Sequence, residues 1–211
     1  MTIIKIFLIL NLLFYFYADV TYAVEQTTES VLETFRAMSN APKLGQHETP
    51  IFKKSNLTRN DVEKFLLKMR KGKNPINIPE SLGTNLAGLD LSGLDFSNTI
   101  MYKVNLEKAK LDDCEFINTF LEGAIFRDTS LKRTKFTNTN LGGADFTKAN
   151  LQGSYFSNCF AQNTLFASSN LEGSKIVKTN FSNSHFNNAN FTGSKIIGSK
   201  LHIPLLVTLK A

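Results

Sequence analysis

Large apolar residues recur at every fifth position over more than half of the chain. The series begins at Leu86 and ends at Leu201, and Ala161 alone among its 24 members is not large and apolar. A second series lies two residues before each member, and its residues are small or medium-sized except Leu89 and Leu94. The pattern predicts that each unit points one large and one smaller side chain into a common core.

A period of five residues fits neither regular secondary structure. In a helix, five residues turn the side chain by about 140° from its starting direction, and in a strand an odd step moves it to the opposite face. The chain must therefore bend once in each unit, with a short extended piece between bends. Extended pieces stacked as successive coils can hydrogen-bond to the coils above and below, which satisfies buried backbone groups. The sequence thus predicts an all-β solenoid.

The stretch GGADFTKANLQGSYF at residues 142–156 resembles the pentapeptide-repeat family, whose units approximate Ala-(Asp/Asn)-(Leu/Phe)-X-X. The units 144–146 and 149–151 match this pattern residue by residue. The resemblance extends over nearly 120 residues. It implies a right-handed, quadrilateral parallel β-helix with four units per coil, which gives about six coils and a height of roughly 29 Å.

Sorting the central residues by steps of twenty supports four sides independently of the resemblance. Like residues then fall above one another, as stacked repeats favour. One column holds Leu91, Leu111, Leu131, Leu151, Leu171 and Phe191, and another holds Phe96, Phe116, Phe136, Phe156, Ile176 and Ile196.

Residues 1–23 are predicted to be a secretory signal peptide. Lys5 precedes the apolar run 6–17, and Thr21 and Ala23 place small residues third and first before a cleavage site. A membrane anchor is the less favoured alternative, because the run has 12 residues, well short of the roughly 20 that span a bilayer. We expect export to the periplasm or secretion, with no stable membrane span after cleavage.

The segment 59–81 is predicted to be an N-terminal α-helical cap with a connector. An uncovered coil end invites aggregation, so a cap is expected there. Asn60 is expected as the N-cap, with Glu63 as the third helical residue. The apolar face would comprise Val62, Phe65, Leu66 and Met69. Residues 24–58 are predicted to be a weaker helical segment and linker.

The repeat at residues 82–203 is predicted to end at Pro204, which leaves the apolar tail 204–211. The tail either folds over the last coil or pairs with its copy in a homodimer. Some relatives are dimers through this end, so the resemblance admits the second alternative.

The net charge of +6 does not by itself indicate nucleic-acid binding. Residues 24–81 hold 10 basic and 7 acidic side chains, and residues 82–203 hold 12 and 10, so the solenoid is only +2. A surface that neutralises many phosphates needs a denser basic stripe than this.

Basic side chains nevertheless gather on one predicted side. Lys135, Lys175 and Lys195 line it, with Lys132 and Arg133 close to Lys135. We interpret this side as a solvated face, because acidic residues lie nearby at Asp113, Glu115 and Glu172.

Cys114 and Cys159 both fall in the smaller inward series, 45 residues apart. Their separation along the solenoid, roughly 11 Å, exceeds the Cα distance of about 7 Å that a disulfide allows. We expect both to pack as free thiols. The three histidines lie too far apart for metal ligation, and no nucleophile, base and orienting group come together. We predict no catalytic, metal or cofactor site.

Apolar residues break the polar pattern of the outward positions on two adjoining sides. With Tyr102 nearby, they predict a strip of the kind that often marks a partner site. The strip comprises Ile100, Tyr102, Phe120, Ile125, Phe160 and Leu165. The alternative is a local irregularity in which Phe160 turns inward to replace the small Ala161.

The leading interpretation is a non-enzymatic exported structural or protein-binding solenoid that acts as a scaffold through its side faces on an unknown protein partner. Because some pentapeptide-repeat proteins mimic DNA and bind gyrase, the resemblance also admits a DNA-mimicking regulator of gyrase or another nucleic-acid enzyme. That function requires an acidic rod in the cytoplasm, so the slightly basic rod and the predicted signal peptide disfavour it. An enzyme would need a site in residues 24–81, which lack a convergent polar set.

Overall fold

The computed structural model describes residues 57–71 and 76–201, which form a helix followed by a parallel β-solenoid. The predicted signal peptide, the linker up to residue 56 and the apolar tail lie outside the described residues and stay predictions. His47 and His202 lie outside them as well.

The regular elements are short because the chain bends every five residues. Helix α1 spans Arg59–Met69, and the strand β1 (Ile76–Asn77) leads into helix α2 (Ile78–Leu82). The later strands are β2 (Thr99–Ile100), β3 (Glu115–Ile117), β4 (Lys135–Thr137), β5 (Tyr155–Ser157), β6 (Lys175–Val177) and β7 (Lys195–Ile197). Strand β1 pairs with β2, and β3 to β7 form one five-stranded sheet, with every pair parallel.

Each coil contains twenty residues, because beyond β1 the backbone bridges join residues twenty positions apart. The residues just before the central ones therefore form four vertical outward rows, which define faces 1 to 4. Face 1 carries Asn85, Asn105, Ile125, Asp145, Leu165 and His185, and face 2 carries Asp90, Lys110, Ser130, Asn150, Asn170 and Asn190. Face 3 carries Asp95, Glu115, Lys135, Tyr155, Lys175 and Lys195, and face 4 carries Ile100, Phe120, Asn140, Phe160, Asn180 and Lys200. The predicted four-sided solenoid of about six coils is confirmed.

The corners are made by left-handed backbone two residues after each central residue. The φ angle there is positive throughout, for example 58° at Lys108 and 64° at Gly173. On three faces a hydrogen bond such as that from the Ala109 N–H to the Leu106 carbonyl (3.0 Å) closes the corner. This hydrogen bond with a positive φ at the third residue is typical of a type II turn.

Two stacks of phenylalanine rings fill the core. Neighbouring rings lie 4.5–4.9 Å apart on face 1 and 4.8–5.2 Å apart on face 3, nearly parallel, because the strand spacing sets their separation. The stacks meet edge to face, with centroids 6.0–6.5 Å apart. Face 1 contributes Phe126, Phe146, Phe166 and Phe186, and face 3 contributes Phe96, Phe116, Phe136 and Phe156.

The smaller inward residues satisfy buried carbonyl groups of the coil below. The Thr134 hydroxyl donates to the Leu111 carbonyl at 2.8 Å, and similar hydrogen bonds recur along the solenoid. The thiols of Cys114 and Cys159 point at the carbonyls of Leu91 and Phe136 at 3.2 and 3.3 Å. Both cysteines are buried and free, as predicted.

Replacing Ser154 with alanine is expected to raise the free energy of unfolding by about 1 kcal/mol. Among the described residues, the buried Ser154 hydroxyl has no hydrogen-bond partner, so folding desolvates it without compensation. Thr134→Ala, one coil earlier in the same row, is the control and should lower stability by about 1 kcal/mol, because it removes a satisfied hydroxyl. Urea denaturation measures both. A loss of stability in Ser154→Ala would contradict the assignment of Ser154 as unsatisfied.

The capping helix is confirmed, but its first residue differs from the prediction. Thr58 is the N-cap, with extended backbone, and its N–H donates to the Asp61 carboxylate at 2.9 Å while Asp61 N–H donates to the Thr58 hydroxyl at 3.4 Å. This reciprocal pair is a capping box. Asn60 and Glu63 therefore lie inside the helix, because the helix begins two residues earlier than predicted. The prediction was wrong because Thr58 with Asp61 and Asn60 with Glu63 have the same spacing, so either pair could form a capping box.

The apolar side of α1 covers the first coil. Val62, Phe65 and Leu66 are buried in the same core cluster as Leu86 and Leu91. The helix is also tied down at both ends.

Two arginines provide these ties. The Arg59 guanidinium donates to the Asp90 carbonyl at 3.2 Å, and Arg70 donates to the Asp95 carbonyl and pairs with its carboxylate at 2.6 Å. Arg70 also helps to hold the pKa of Asp95 below its ordinary value, against the opposing effect of burial. The first coil is thereby closed by both apolar and ionic contacts.

Candidate functional site

Four of the predicted partner-site residues form one group near the N-terminal end of the solenoid. Ile100 and Phe120 are paired in register on face 4, and Ile125 lies across the next corner on face 1. Tyr102 is 45% exposed, and the Lys103 ammonium lies 4.9 Å from its ring centroid. We call Ile100, Tyr102, Phe120 and Ile125 the N-terminal apolar cluster.

Glycine at the corner between Phe120 and Ile125 lets a lysine stem border this cluster. A Cβ on Gly123 would lie 3.2 Å from the Lys103 side chain, and its φ of 66° also favours glycine. Lys103 therefore lies over the corner and next to Tyr102. The surface combines apolar side chains, an aromatic ring and one cation.

The other two predicted residues, Phe160 and Leu165, lie two coils further on and flank an equivalent corner. Leu165 is 37% exposed. Between the two groups, Asn140 occupies face 4 and Asp145 occupies face 1. The six residues thus lie on the two predicted faces, but a polar coil separates them into two groups. Their role in binding stays a prediction.

The separating coil is held by polar contacts. Asp145 is nearly buried, and the Arg127 Nε donates to its carboxylate at 2.5 Å. Burial opposes ionisation of Asp145, but hydrogen bonds from Thr147 and Arg127 outweigh it and keep its pKa below the ordinary value. Asn140 accepts a hydrogen bond from the Gly142 N–H at 3.0 Å.

The backbone of Phe160 keeps its place in the outward row. It bridges to Asn140 and Asn180 in the register of face 4. The space left by Ala161 lies beneath Phe181, whose ring is 6.2 Å from that of Phe156 and 5.6 Å from that of Phe166. Because Phe156 and Phe166 belong to the units that flank Ala161, we predict that Phe181 extends into this space. The alternative in which Phe160 turns inward to replace Ala161 stays a prediction.

The buried thiols are unsuited to nucleophilic chemistry. Burial raises the pKa of Cys114 to about 12 and that of Cys159 to about 11, so neither forms thiolate near neutral pH. Within residues 57–71 and 76–201, no cluster of His, Cys, Asp and Glu side chains is arranged to hold a metal ion. Nor does the described part of the chain contain a helix with the length and apolarity needed to cross a membrane.

The structure exposes apolar residues that the sequence pattern did not single out. Leu67 on α1 is 62% exposed, and Ile197 in β7 is 53% exposed. Ile196, a central residue expected to point into the core, is 37% exposed. Ile196 belongs to the last described coil, which has no further described coil above it. Its position near the end of the repeat was the sequence signal that could have predicted its exposure.

These observations define a repeat protein of the parallel β-solenoid class, with a capped N-terminal end. A family model for the pentapeptide repeat region matches residues 89–166, and a second, for pentapeptide repeats in eight copies, matches residues 164–202. Together the two matches cover more than half of the chain, and the chain belongs to the pentapeptide repeat family. No curated protein sequence matches it significantly.

Solved structures of this family are similar to the chain at low sequence identity. The pentapeptide repeat protein Rfr23 of the cyanobacterium Cyanothece 51142 is 16% identical, with 67% of this chain and 99% of that one covered and a TM-score of 0.46. A pentapeptide repeat protein from the thylakoid lumen of Arabidopsis thaliana is 30% identical over 49% of this chain and 66% of that one, with a TM-score of 0.31. QnrB1, a plasmid-mediated fluoroquinolone resistance protein, is 20% identical over 55% of this chain and 68% of that one, with a TM-score of 0.43.

Proposed function

We propose that the protein is a non-enzymatic, exported scaffold that binds a protein partner through the N-terminal apolar cluster. The observation that carries the proposal is the in-register pair Ile100 and Phe120 with the exposed ring of Tyr102 beside it. Most outward positions of the four rows hold polar or charged residues, so this group is a local exception. Tyrosine is among the residues enriched in binding hot spots. Export is supported by residues 1–23 alone.

A DNA-mimicking role is the alternative, and the charge distribution opposes it. Such a surface must present carboxylates in place of phosphates. Several acidic residues of the rod are instead paired with basic ones: Arg133 donates to Asp113 at 2.6 Å, and Lys135 donates to Glu115 at 2.8 Å. No Asp or Glu follows Glu172 in the sequence.

The proposal predicts that a partner is lost when the N-terminal apolar cluster is made polar. The variant Tyr102→Ser/Phe120→Asn should retain the fold, because asparagine already occupies the same row at Asn140 and Asn180. We expect its affinity for the partner to fall at least tenfold, since two hot-spot residues contribute about 2 kcal/mol or more each. Cells are first fractionated to locate the protein, and partners captured from that fraction are then quantified for wild type and variant.

The matched control is Phe160→Asn/Leu165→Asn, which likewise makes two apolar side chains polar, two coils further along the solenoid. Partner binding by this control should stay close to that of wild type. Retention of every partner by the Tyr102→Ser/Phe120→Asn variant would refute the proposed surface. If only the control variant loses the partner, the binding site lies at Phe160 and Leu165 instead.

A further inference from the structure

The charges of the solenoid are unevenly distributed along its axis. Every ionisable side chain from residue 173 to the last described residue is basic or histidine: Lys175, Lys178, His185, Lys195 and Lys200. The first coils, in contrast, carry most of the acidic residues. The small net charge of the whole rod therefore conceals a basic C-terminal end.

Two of these lysines, Lys175 and Lys195, form a block with two apolar residues on the sheet of face 3. Lys175 pairs in register with Lys195, and Val177 pairs with Ile197 in the same two strands. Residues two apart in a strand share a face, so both pairs point outward, with about 4.8 Å between strands. The block consists of two cations beside two apolar side chains.

Lysines border the apolar pair on its other side as well. Lys178 follows Val177 at the corner, and its stem lies over the backbone of Gly198, where a Cβ would be 3.7 Å from the Lys178 Cγ. Lys200 begins face 4 of the same coil. We define the basic terminal patch as Lys175, Val177, Lys178, Lys195, Ile197 and Lys200.

The charges of this patch are not compensated within the described part of the chain. Lys135, lower in the same row, pairs with Glu115 at 2.8 Å, whereas no carboxylate of the described residues lies within ion-pair distance of Lys175 or Lys195. Like charges directly opposite on neighbouring strands destabilise a sheet. An external anion would relieve this repulsion. The expectation of a simply solvated face therefore holds for Lys135 but does not explain the last two coils.

We infer that the basic terminal patch docks on an anionic lipid surface. Lysines around an exposed isoleucine match such a surface, because the cations meet the lipid phosphates while the apolar side chain enters the headgroup region. A protein partner fits the patch less well, because lysine is depleted at protein interfaces relative to the rest of the surface. A nucleic acid would not use Val177 and Ile197, and the ring of Tyr155 in the same row is covered by Lys175, whose ammonium lies 5.6 Å from its centroid.

Vesicle flotation tests this inference. The full chain and residues 47–211, which retain the capping helix and the whole solenoid, are compared on vesicles with equal parts of phosphatidylglycerol and phosphatidylcholine and on vesicles of phosphatidylcholine alone. Residues 47–211 should bind the anionic vesicles at least about tenfold more tightly, and raising NaCl from about 0.1 to 0.5 M should weaken this binding. The full chain shows separately what the apolar run 6–17 adds.

Charge variants locate the binding. Lys175→Glu/Lys195→Glu should weaken binding to anionic vesicles at least about tenfold. The matched control Lys108→Glu/Lys148→Glu changes the net charge equally at a corner of face 1, and its binding should change by less than about twofold. If the glutamate variant does not fold, Lys175→Gln/Lys195→Gln replaces it in the test, because glutamine removes the charges and with them the repulsion between the two side chains.

A third variant distinguishes lipid from nucleic acid. Ile197→Ser should weaken vesicle binding while leaving any binding to a short DNA duplex unchanged. The inference is overturned if the protein binds both vesicle types equally. It is also overturned if the control Lys108→Glu/Lys148→Glu weakens binding as much as Lys175→Glu/Lys195→Glu. It is also overturned if the duplex binds more tightly than the vesicles and Ile197→Ser has no effect.

Discussion

Replacing Phe146 with alanine is expected to lower the free energy of unfolding by about 4 kcal/mol. The ring is fully buried in the middle of the solenoid. It stacks on Phe126 at 4.5 Å and on Phe166 at 4.9 Å, and meets Phe136 edge to face at 6.0 Å. Its removal eliminates three ring contacts and leaves a cavity that the backbone bridges above and below prevent from closing.

Urea or guanidinium denaturation followed by circular dichroism measures this change. Phe146→Leu, which keeps most of the volume, should cost less than about 2 kcal/mol. Phe160→Ala removes the same atoms from a half-buried outward position and should also cost less than Phe146→Ala. Equal losses for Phe146→Ala and Phe160→Ala would show that the inward stack does not dominate stability.

A second result is expected from the shape of the unfolding transition. Each coil contacts only its neighbours, so a central cavity weakens the coupling between the two halves of the rod. The Phe146→Ala transition should therefore be broader than that of wild type, with a lower apparent m-value. Phe191→Ala in the last coil should lower stability without this broadening.

The fold could be predicted from the sequence because its contacts repeat at a fixed distance along the chain. Vertical neighbours are twenty residues apart, so the contact between Phe116 and Phe136 could be predicted from their spacing in the sequence. The same regularity explained Cys114 and Cys159 as inward packing residues. The cap was less predictable, because Thr58 with Asp61 and Asn60 with Glu63 have the same spacing, and only the backbone conformation at Thr58 distinguishes them.

The candidate surfaces could be predicted only in part. Outward rows follow from the period, so the positions of Ile100 and Phe120 on the surface could be predicted. Their exposed fractions could not be predicted, because exposure depends on corner residues such as Gly123, over which Lys103 lies. The sequence placed Lys175 and Lys195 on one side but favoured a solvated face there. The net charge over residues 82–203 averages an acidic end with a basic one, and the ion pair that separates Lys135 from these two lysines is visible only in the structure.

Ala161 and Phe181 are expected to be strongly coupled in a double-mutant cycle. Ala161 is the one small member of the central series, and Phe181 stands one coil above it with its ring among those of Phe156 and Phe166. The two residues thus share one volume. A large side chain at position 161 would overlap this ring, and a small one at position 181 would leave a cavity.

Ala161→Phe alone should therefore lower the free energy of unfolding by about 3 kcal/mol through overpacking, and Phe181→Ala by about 4 kcal/mol through the cavity. The double variant Ala161→Phe/Phe181→Ala restores the total volume. We expect it to be at least about 2 kcal/mol more stable than the sum of the single changes predicts. Combining Ala161→Phe with Phe126→Ala, which lies outside this contact, should give an additive loss.

The cycle also decides between the two phenylalanines that could compensate for Ala161. If Phe181 fills the space, the coupling belongs to Ala161→Phe with Phe181→Ala, and Ala161→Phe combined with Phe160→Ala should be additive. The reverse pattern would mean that Phe160 occupies the core. Phe160 would then have to leave the outward row in which its backbone pairs with Asn140 and Asn180. Removing its ring would then cost as much as removing a core phenylalanine.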